Sequence, residues 1–291
     1  MLTLSRQEVL VKRLLMIPVA TAALVMPVAG RATGGADVVR TVYFSARDAN
    51  GAAVTDLTAA DLAVKEGGKD CAIRAVEPAS APIQVMVLVD DAGTGAFQGA
   101  IAQFLQTLLG HGQFAIRALN PQPSRLTDFT ADPSALRTAL NGIGARGKVT
   151  SIGEQIIEAV AEAARELQQR KAPRPVIVVA TLVGEQVQSD QGDPALRALK
   201  NSAASLSVVH LTGIQLGQVL GDGPKRSGGL MQQISAGVVP GSVLATVADT
   251  LLHQYALTYT LPDGAKPNER FALTTSRKGL TLVAPTRVPD R

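Results

Sequence analysis

From residue 83 onward, short apolar runs alternate with amphipathic stretches, and this alternation restricts the fold more than any other feature of the chain. The runs are IQVMVLV (83–89), QFAIRAL (113–119), PVIVVATLV (175–183) and LSVVHLT (206–212). Such a pattern belongs to parallel strands buried on both faces by helices. Between the runs the apolar period is helical. Phe97, Ile101, Phe104, Leu105 and Leu108 share one face, and Ile152, Ile156, Val160, Ala163 and Leu167 form another stripe. Asp132-Pro133 and Asp193-Pro194 have the form of a helix start, a capping carboxylate followed by a first-turn proline. Ser242 is placed to cap a helix over 243–253. SRLTDFT (124–130) reads as an antiparallel edge strand. The fold class is therefore α/β, doubly wound, with a mostly parallel sheet and helices on both faces.

The flanks read differently. Residues 31–80 form an N-terminal β segment, in which VVRTVYFSARD is strand-like, Asn50-Gly51 is a turn signal, and LAVKEGGKDCAIRAVE gives two strands around Gly67-Gly68. The α/β region spans 81–253. A C-terminal β segment, 254–291, follows with QYALTYTL, RFALTTS and LTLVAP. Neither flank has enough strands to be stable alone. Together they predict one discontinuous, β-sandwich-like unit beside the α/β domain.

The N-terminus has a basic stretch (Arg6, Lys12, Arg13), then the uncharged LLMIPVATAALVMPVAG (14–30), then small residues. That order is the order of a secretory signal, with Val28-Ala29-Gly30 suited to a peptidase, and it predicts residues 1–30 as a signal peptide. An uncleaved anchor is the alternative, because 17 residues reach the short limit of a membrane span. The expected location is secreted or periplasmic, with no membrane span after signal removal. Export suits the single Cys71, which cannot form an internal disulfide and reads as a small buried apolar residue; a reactive thiol is the other reading. Lys and Arg are scattered, aromatics are 3% and Trp is absent, so the sequence predicts no nucleic-acid partner.

The stretch VMVLVDDAGTGAFQG (85–99) carries the candidate chemistry. Gly93, Gly95 and Gly99 follow a strand and precede a helix, as in a dinucleotide cradle. Yet the next strand ends in Asn120-Pro121, with no ribose-binding acid, and Asp90-Asp91 would repel phosphate. Gly142 to Lys148 nearly matches a phosphate loop, but Val149 stands at the hydroxyl position and a helix precedes it. A divalent-cation site fits better: a carboxylate at the C-terminal end of a central strand lies at the crevice where doubly wound sheets bind ligands, and hard cations take oxygen donors.

These segments resemble the bacterial VWFA-related proteins, which are built on a von Willebrand factor type A domain. The likeness spans roughly 38–285 and is strongest in VTDLTAADLAVKEGGK (54–69), APIQVMVLVDDAGTG (81–95) and QYALTYT. LTDFTADPSALRTALNGI with TSIGEQIIEAV adds to it. The resemblance implies a von Willebrand A-like sheet and a metal-ion-dependent adhesion site of pattern D-x-S-x-S, plus a Thr and an Asp from two further loops. Carried over, Asp90 matches the first Asp, Thr94 the second Ser, and Thr150, with Ser151 adjacent, the Thr. Ala92 stands where the first hydroxyl belongs. Leu182-Val183-Gly184-Glu185 stands where the last Asp belongs, with Glu185 and Asp190 out of register. Asp91, at the variable position, is expected to face away or to cap the following helix. The implied site is a degenerate one that has lost its metal; no cofactor is expected, and Mg or Ca is the alternative.

No G-x-S-x-G or H-E-x-x-H is present, and no His accompanies a nucleophile in a matching loop. The sequence therefore predicts an exported, non-enzymatic protein-binding or scaffold protein. Its partner is unidentified and would meet the loops at 90–96, 147–152 and 182–192. Metal-dependent adhesion through Asp90, Thr94 and Thr150, and an enzyme on a doubly wound sheet, are the alternatives.

Overall fold

A computed structural model describes residues 38–120, 122–144, 154–185, 189–235 and 239–290. The segment 1–30, the loop at 147–152 and with it Thr150 and Ser151 lie outside the described residues.

Three strands open the described chain: β1 (Val39–Arg47), β2 (Leu62–Glu66) and β3 (Lys69–Pro78). The α/β region follows with β4 (Ile83–Asp90), α1 (Gln98–Leu108), β5 (Gly112–Ala118), β6 (Ser124–Thr130) and α2 (Pro133–Asn141). It continues with α3 (Glu154–Gln169), β7 (Arg174–Thr181), α4 (Ser189–Ser202) and β8 (Ser205–Leu211). α5 (Gln218–Ser227), β9 (Met231–Ile234) and α6 (Pro240–Leu252) complete it. The chain ends with β10 (Tyr255–Thr260), β11 (Phe271–Thr275) and β12 (Thr281–Val283).

The central sheet runs β6-β5-β4-β7-β8-β9. All its pairings are parallel except β5 with β6, the antiparallel edge. Side chains alternate across the sheet with the two-residue period of a strand. Val85, Val87 and Val89 enter one core with α1, α2 and α6; Met86 and Leu88 enter the other with α3, α4 and α5. β7 is buried along its whole length, as a strand covered on both faces must be.

The flanking strands form one sheet in the order β11-β2-β3-β10-β1-β12. The C-terminal strand β10 lies between β1 and β3, pairing antiparallel with both. This corrects the expected sandwich. The six strands curl until the ends meet: Arg270 bridges Arg287, the Phe271 amide donates to Thr286 O at 3.1 Å, and the Val288 amide to Glu269 O at 2.9 Å. The core is therefore the inside of a curled sheet, filled by Phe44, Tyr255, Leu257, Tyr259, Phe271 and neighbours. Phe44 stacks on Tyr255 with ring centroids 5.1 Å apart.

Three expectations need correction, and two elements were not anticipated. The helix predicted to start at Asp193-Pro194 starts at Ser189 and carries Pro194 inside it. Ser242 is not a cap: α6 starts at Pro240 after Val239, and the Ser242 hydroxyl bonds back to Val239 O at 2.8 Å. α5 and β9 have no counterpart in the sequence pattern. Cys71 is half-buried rather than buried, on β3 opposite Val64, and burial raises its thiol pKa, which disfavours the thiolate.

Because β10 is interior to the curled sheet, removal of 254–291 strips β1 and β3 of their shared partner. Trypsin should then cut at Arg47, Lys65 and Arg74 well before it cuts the full chain there. Equal protection in the two proteins would contradict the interleaved pairing.

Candidate functional site

The strand order reverses at β4, which has β5 on one side and β7 on the other; the C-terminal ends of these strands bound the crevice of a doubly wound sheet. Asp90 is the last residue of β4 and has no exposed surface. It pairs in register with Thr181 of β7, which pairs with His210 of β8. The three therefore form a row on one face, continuing the face that Met86 and Leu88 bury. All three are buried. Asp90 Oδ1 accepts from the Asn120 amide, and its backbone carbonyl accepts from the Leu182 amide at 2.9 Å. The Thr181 hydroxyl folds back on its own turn, donating to Val183 O at 2.8 Å and accepting from Val183 N at 3.0 Å. His210 Nδ1 lies 3.0 Å from Leu211 O, so Nδ1 carries the proton, and Nε2 has no partner among the described residues.

The loop after Asp90 closes on itself. Asp91 Oδ1 accepts from the Gly93 amide at 3.0 Å, and Asp91 O accepts from the Thr94 amide at 3.1 Å and the Thr94 hydroxyl at 2.7 Å. Asp91 is buried and caps this turn rather than α1, whose first residue, Gln98, lies seven positions on. The turn requires φ of +52° at Ala92, +72° at Gly93 and +77° at Gly95, and only Ala92 meets the steric cost of roughly 1 kcal/mol. Across the crevice, a Cβ on Gly144 would lie 2.5 Å from Gly95 Cα, so the two backbones touch. The Gln98 amide fixes the same contact by donating to Leu140 O at 3.0 Å.

Glu185 leaves the loop after β7 and reaches α5. Its carboxylate accepts from the Val219 amide at 3.0 Å and the Leu220 amide at 2.7 Å. It thereby caps a helix whose own N-cap residue, Gly217, has no side chain. Burial pushes the Glu185 carboxyl above its ordinary range, against backbone N–H groups that pull it down. A Cβ on Gly184 would meet Gln215 O at 2.6 Å, and the Glu185 amide donates to that carbonyl at 3.2 Å.

These bonds decide how the described residues suit a hard cation, which needs about six oxygens. An amide donor stands against Asp90 Oδ1. The Thr94 hydroxyl gives its proton to a carbonyl and is exposed. Ala92 supplies no side-chain oxygen, and Glu185 is committed to α5. Among the described residues, no group of three or more His, Cys, Asp or Glu side chains gathers to hold a metal. The described part of the site does not fit a cation shell. Thr150 and the Asp190 side chain lie outside the described residues.

Sequence reasoning missed three participants. Asn120 was visible only as a residue that is not an acid. Leu211, 39% exposed at the end of β8, and Val239, 69% exposed before α6, both lie at the C-terminal edge of the sheet. The apolar run LSVVHLT assigns β8 as a strand and does not say where the sheet's cover stops.

No family model matches the sequence, and no curated protein does. Solved structures do. A von Willebrand factor type A protein from Catenulispora acidiphila is 11% identical, with 86% of this chain and 74% of that chain covered and a TM-score of 0.49. The VWA domain of SpRpn10 is 10% identical, covering 56% and 94%, with a TM-score of 0.43. BatB from Bacteroides thetaiotaomicron is 12% identical, covering 59% and 99%, with a TM-score of 0.41. The likeness is one of fold.

Two substitutions test the geometry. Glu185→Ala uncaps α5 and should lower unfolding free energy by about 1–2 kcal/mol. Asn120→Ala leaves buried Asp90 short of a donor and should cost about 1–3 kcal/mol. Both are read as midpoint shifts in urea at constant slope. A loss under 0.3 kcal/mol, roughly the scatter of neutral surface changes, would count against the assigned bonds.

Proposed function

We propose that the chain is an exported, non-enzymatic protein-binding or scaffold protein that meets its partner at the C-terminal edge of the central sheet. The observation that carries this reading is the division of polar and apolar groups at that edge. Among the described residues, the carboxylates there are buried: Asp90 faces Asn120, Asp91 closes its own turn with Oδ2 unpartnered, and Glu185 caps α5. The exposed side chains at the same edge include Leu211 and Val239. Exposed apolar residues among polar loops are what a protein partner covers. The Thr181 hydroxyl lies beside His210 but gives its proton to Val183 O rather than to the imidazole, which favours binding over catalysis.

Export rests on the order of residues in 1–30, a basic stretch, an apolar run and then small residues. Among the described residues, no helix is long and apolar enough to cross a membrane. Mass measurement of the protein from the periplasm or medium should show loss of the segment ending near Gly30; an intact N-terminus there would refute cleavage.

Immobilised protein should capture the same partner from a periplasmic or culture extract with and without chelator. Leu211→Lys and Val239→Lys should each weaken that capture about tenfold, since burying a charge in an apolar contact costs more than 1.4 kcal/mol. Unchanged capture by both variants would remove the proposed surface. Capture that requires Mg²⁺ or Ca²⁺ would instead establish metal-dependent adhesion through Asp90.

The thermal midpoint should not move at millimolar Mg²⁺ or Ca²⁺. A bound ion at a hundredfold excess over its dissociation constant would add about 2.7 kcal/mol through mass action.

A further inference from the structure

At the opposite edge of the central sheet, where β7 and β8 begin, a cleft of about 710 Å³ lies between α4 and the curled sheet. That volume is in the range of small-molecule sites, which favour junctions between structural units. Its walls carry six cationic side chains and two carboxylates. Most of the cations have partners: Arg40 pairs with Glu66, Arg226 with Asp222, and Lys200 and Arg287 share Glu269. Arg174 and Arg197 have no carboxylate partner among the described residues.

Arg174 is the sharper case. It is 4% exposed, its Nη1 donates to the neutral Ala79 O at 3.3 Å, and its Nε has no partner. Its guanidinium lies 5.9 Å from the Tyr43 ring centroid, a weak substitute for an anion. Desolvation lowers its pKa, the mark of a charge held without compensation. The rest of the lining mixes hydroxyl side chains (Thr41, Ser202, Ser205, Ser227) with apolar ones, among them Val42, Leu196 and Val288.

We propose that this cleft binds an organic anion with an apolar body, its carboxylate or phosphate head compensating Arg174 and Arg197 and its body resting on Val42, Leu196 and Val288. The site is separate from the partner surface proposed above and stands without it.

The probe is 8-anilino-1-naphthalenesulfonate, titrated into the full folded chain by fluorescence beside its uncharged analogue N-phenyl-1-naphthylamine. The anionic dye should bind at one saturable site, about tenfold more tightly than the neutral one, and more weakly as salt rises. Arg197→Glu, on an exposed position of α4, should weaken the anionic dye about tenfold without moving the thermal midpoint. Arg174→Gln should do the same; if it fails to fold, Arg197→Glu decides alone. Decanoate and decyl phosphate should displace the dye, and the stronger competitor identifies the head group. Non-saturable binding, equal affinity for both dyes, dye binding unchanged in Arg197→Glu, or displacement by neither competitor would overturn the proposal.

Discussion

A carboxylate taken out of water must be met by donors or it destabilises whatever surrounds it. Three buried acids meet that requirement here, and each one ties together segments that are distant in sequence. Glu66 of β2 accepts from the Tyr259 hydroxyl of β10 at 2.5 Å, the Asn268 amide ahead of β11 at 2.7 Å and Arg40 of β1 at 2.7 Å. Its position is possible only when the C-terminal strands have threaded between the N-terminal ones. Burial and the Glu66 hydrogen bond both push the Tyr259 phenol far above its ordinary range, so the phenol is a neutral donor. Asp90 requires Asn120 from just beyond the end of β5, and Glu185 requires the first turn of α5. The curled sheet, the crevice and the last crossover are each held in register by one such acid.

The legible part of the fold was the part set by local periodicity. Four doubly covered strands were visible because their apolar runs are continuous, and the edge strand β6 because it follows the second run after a Pro-bearing turn. The α5–β9 segment was not visible, for a physical reason. QVLGDGPKRS contains Gly221, Gly223 and Pro224, and its intrinsic helix preference is poor. The helix exists because Val219 and Leu220 bury against the sheet and Glu185 caps it from over thirty residues upstream, both tertiary contributions. β9, with only four residues reading MQQI, is an edge strand too short to show a period. The shape of the flanking unit was hidden likewise. Strand count and turn signals imply that the flanks need each other, but only the closure of Phe271 on Thr286 separates a curled sheet from two stacked ones.

The candidate site shows the same boundary at the level of single residues. The position of Asp90 was readable, since a strand followed by a glycine-rich turn puts that carboxylate at the crevice. Its chemical state was not. A carboxylate at such a point is a ligand when it faces an opening and a structural group when it faces a donor, and one amide from Asn120 decides between them. Thr94 makes the same point in reverse. Its side chain is exposed, as a ligand's could be, but its proton goes to Asp91 O and stiffens the turn. Residue type marks which groups could act; the direction of each hydrogen bond marks what they are doing.

The two ends of the central sheet then present different chemistry. At the C-terminal edge Asp90 and Glu185 are matched internally, Asp91 keeps one oxygen without a donor among the described residues, and Leu211 and Val239 are left outside. At the N-terminal edge Arg174 and Arg197 are left without a carboxylate among the described residues, in a cleft that the exposed Val38 and Val39 also line. β7 links the two, from Arg174 to Thr181, a span of about 23 Å at 3.3 Å per residue. At that distance two unit charges interact by only about 0.7 kcal/mol at an effective dielectric constant of about 20, too little to couple Arg174 strongly to anything bound near Asp90. The strand is buried throughout and bonded on both sides, which leaves it no alternative arrangement through which one edge could signal to the other. The physics of the sheet therefore favours two independent recognition surfaces on one rigid frame, not a single site with a remote regulator.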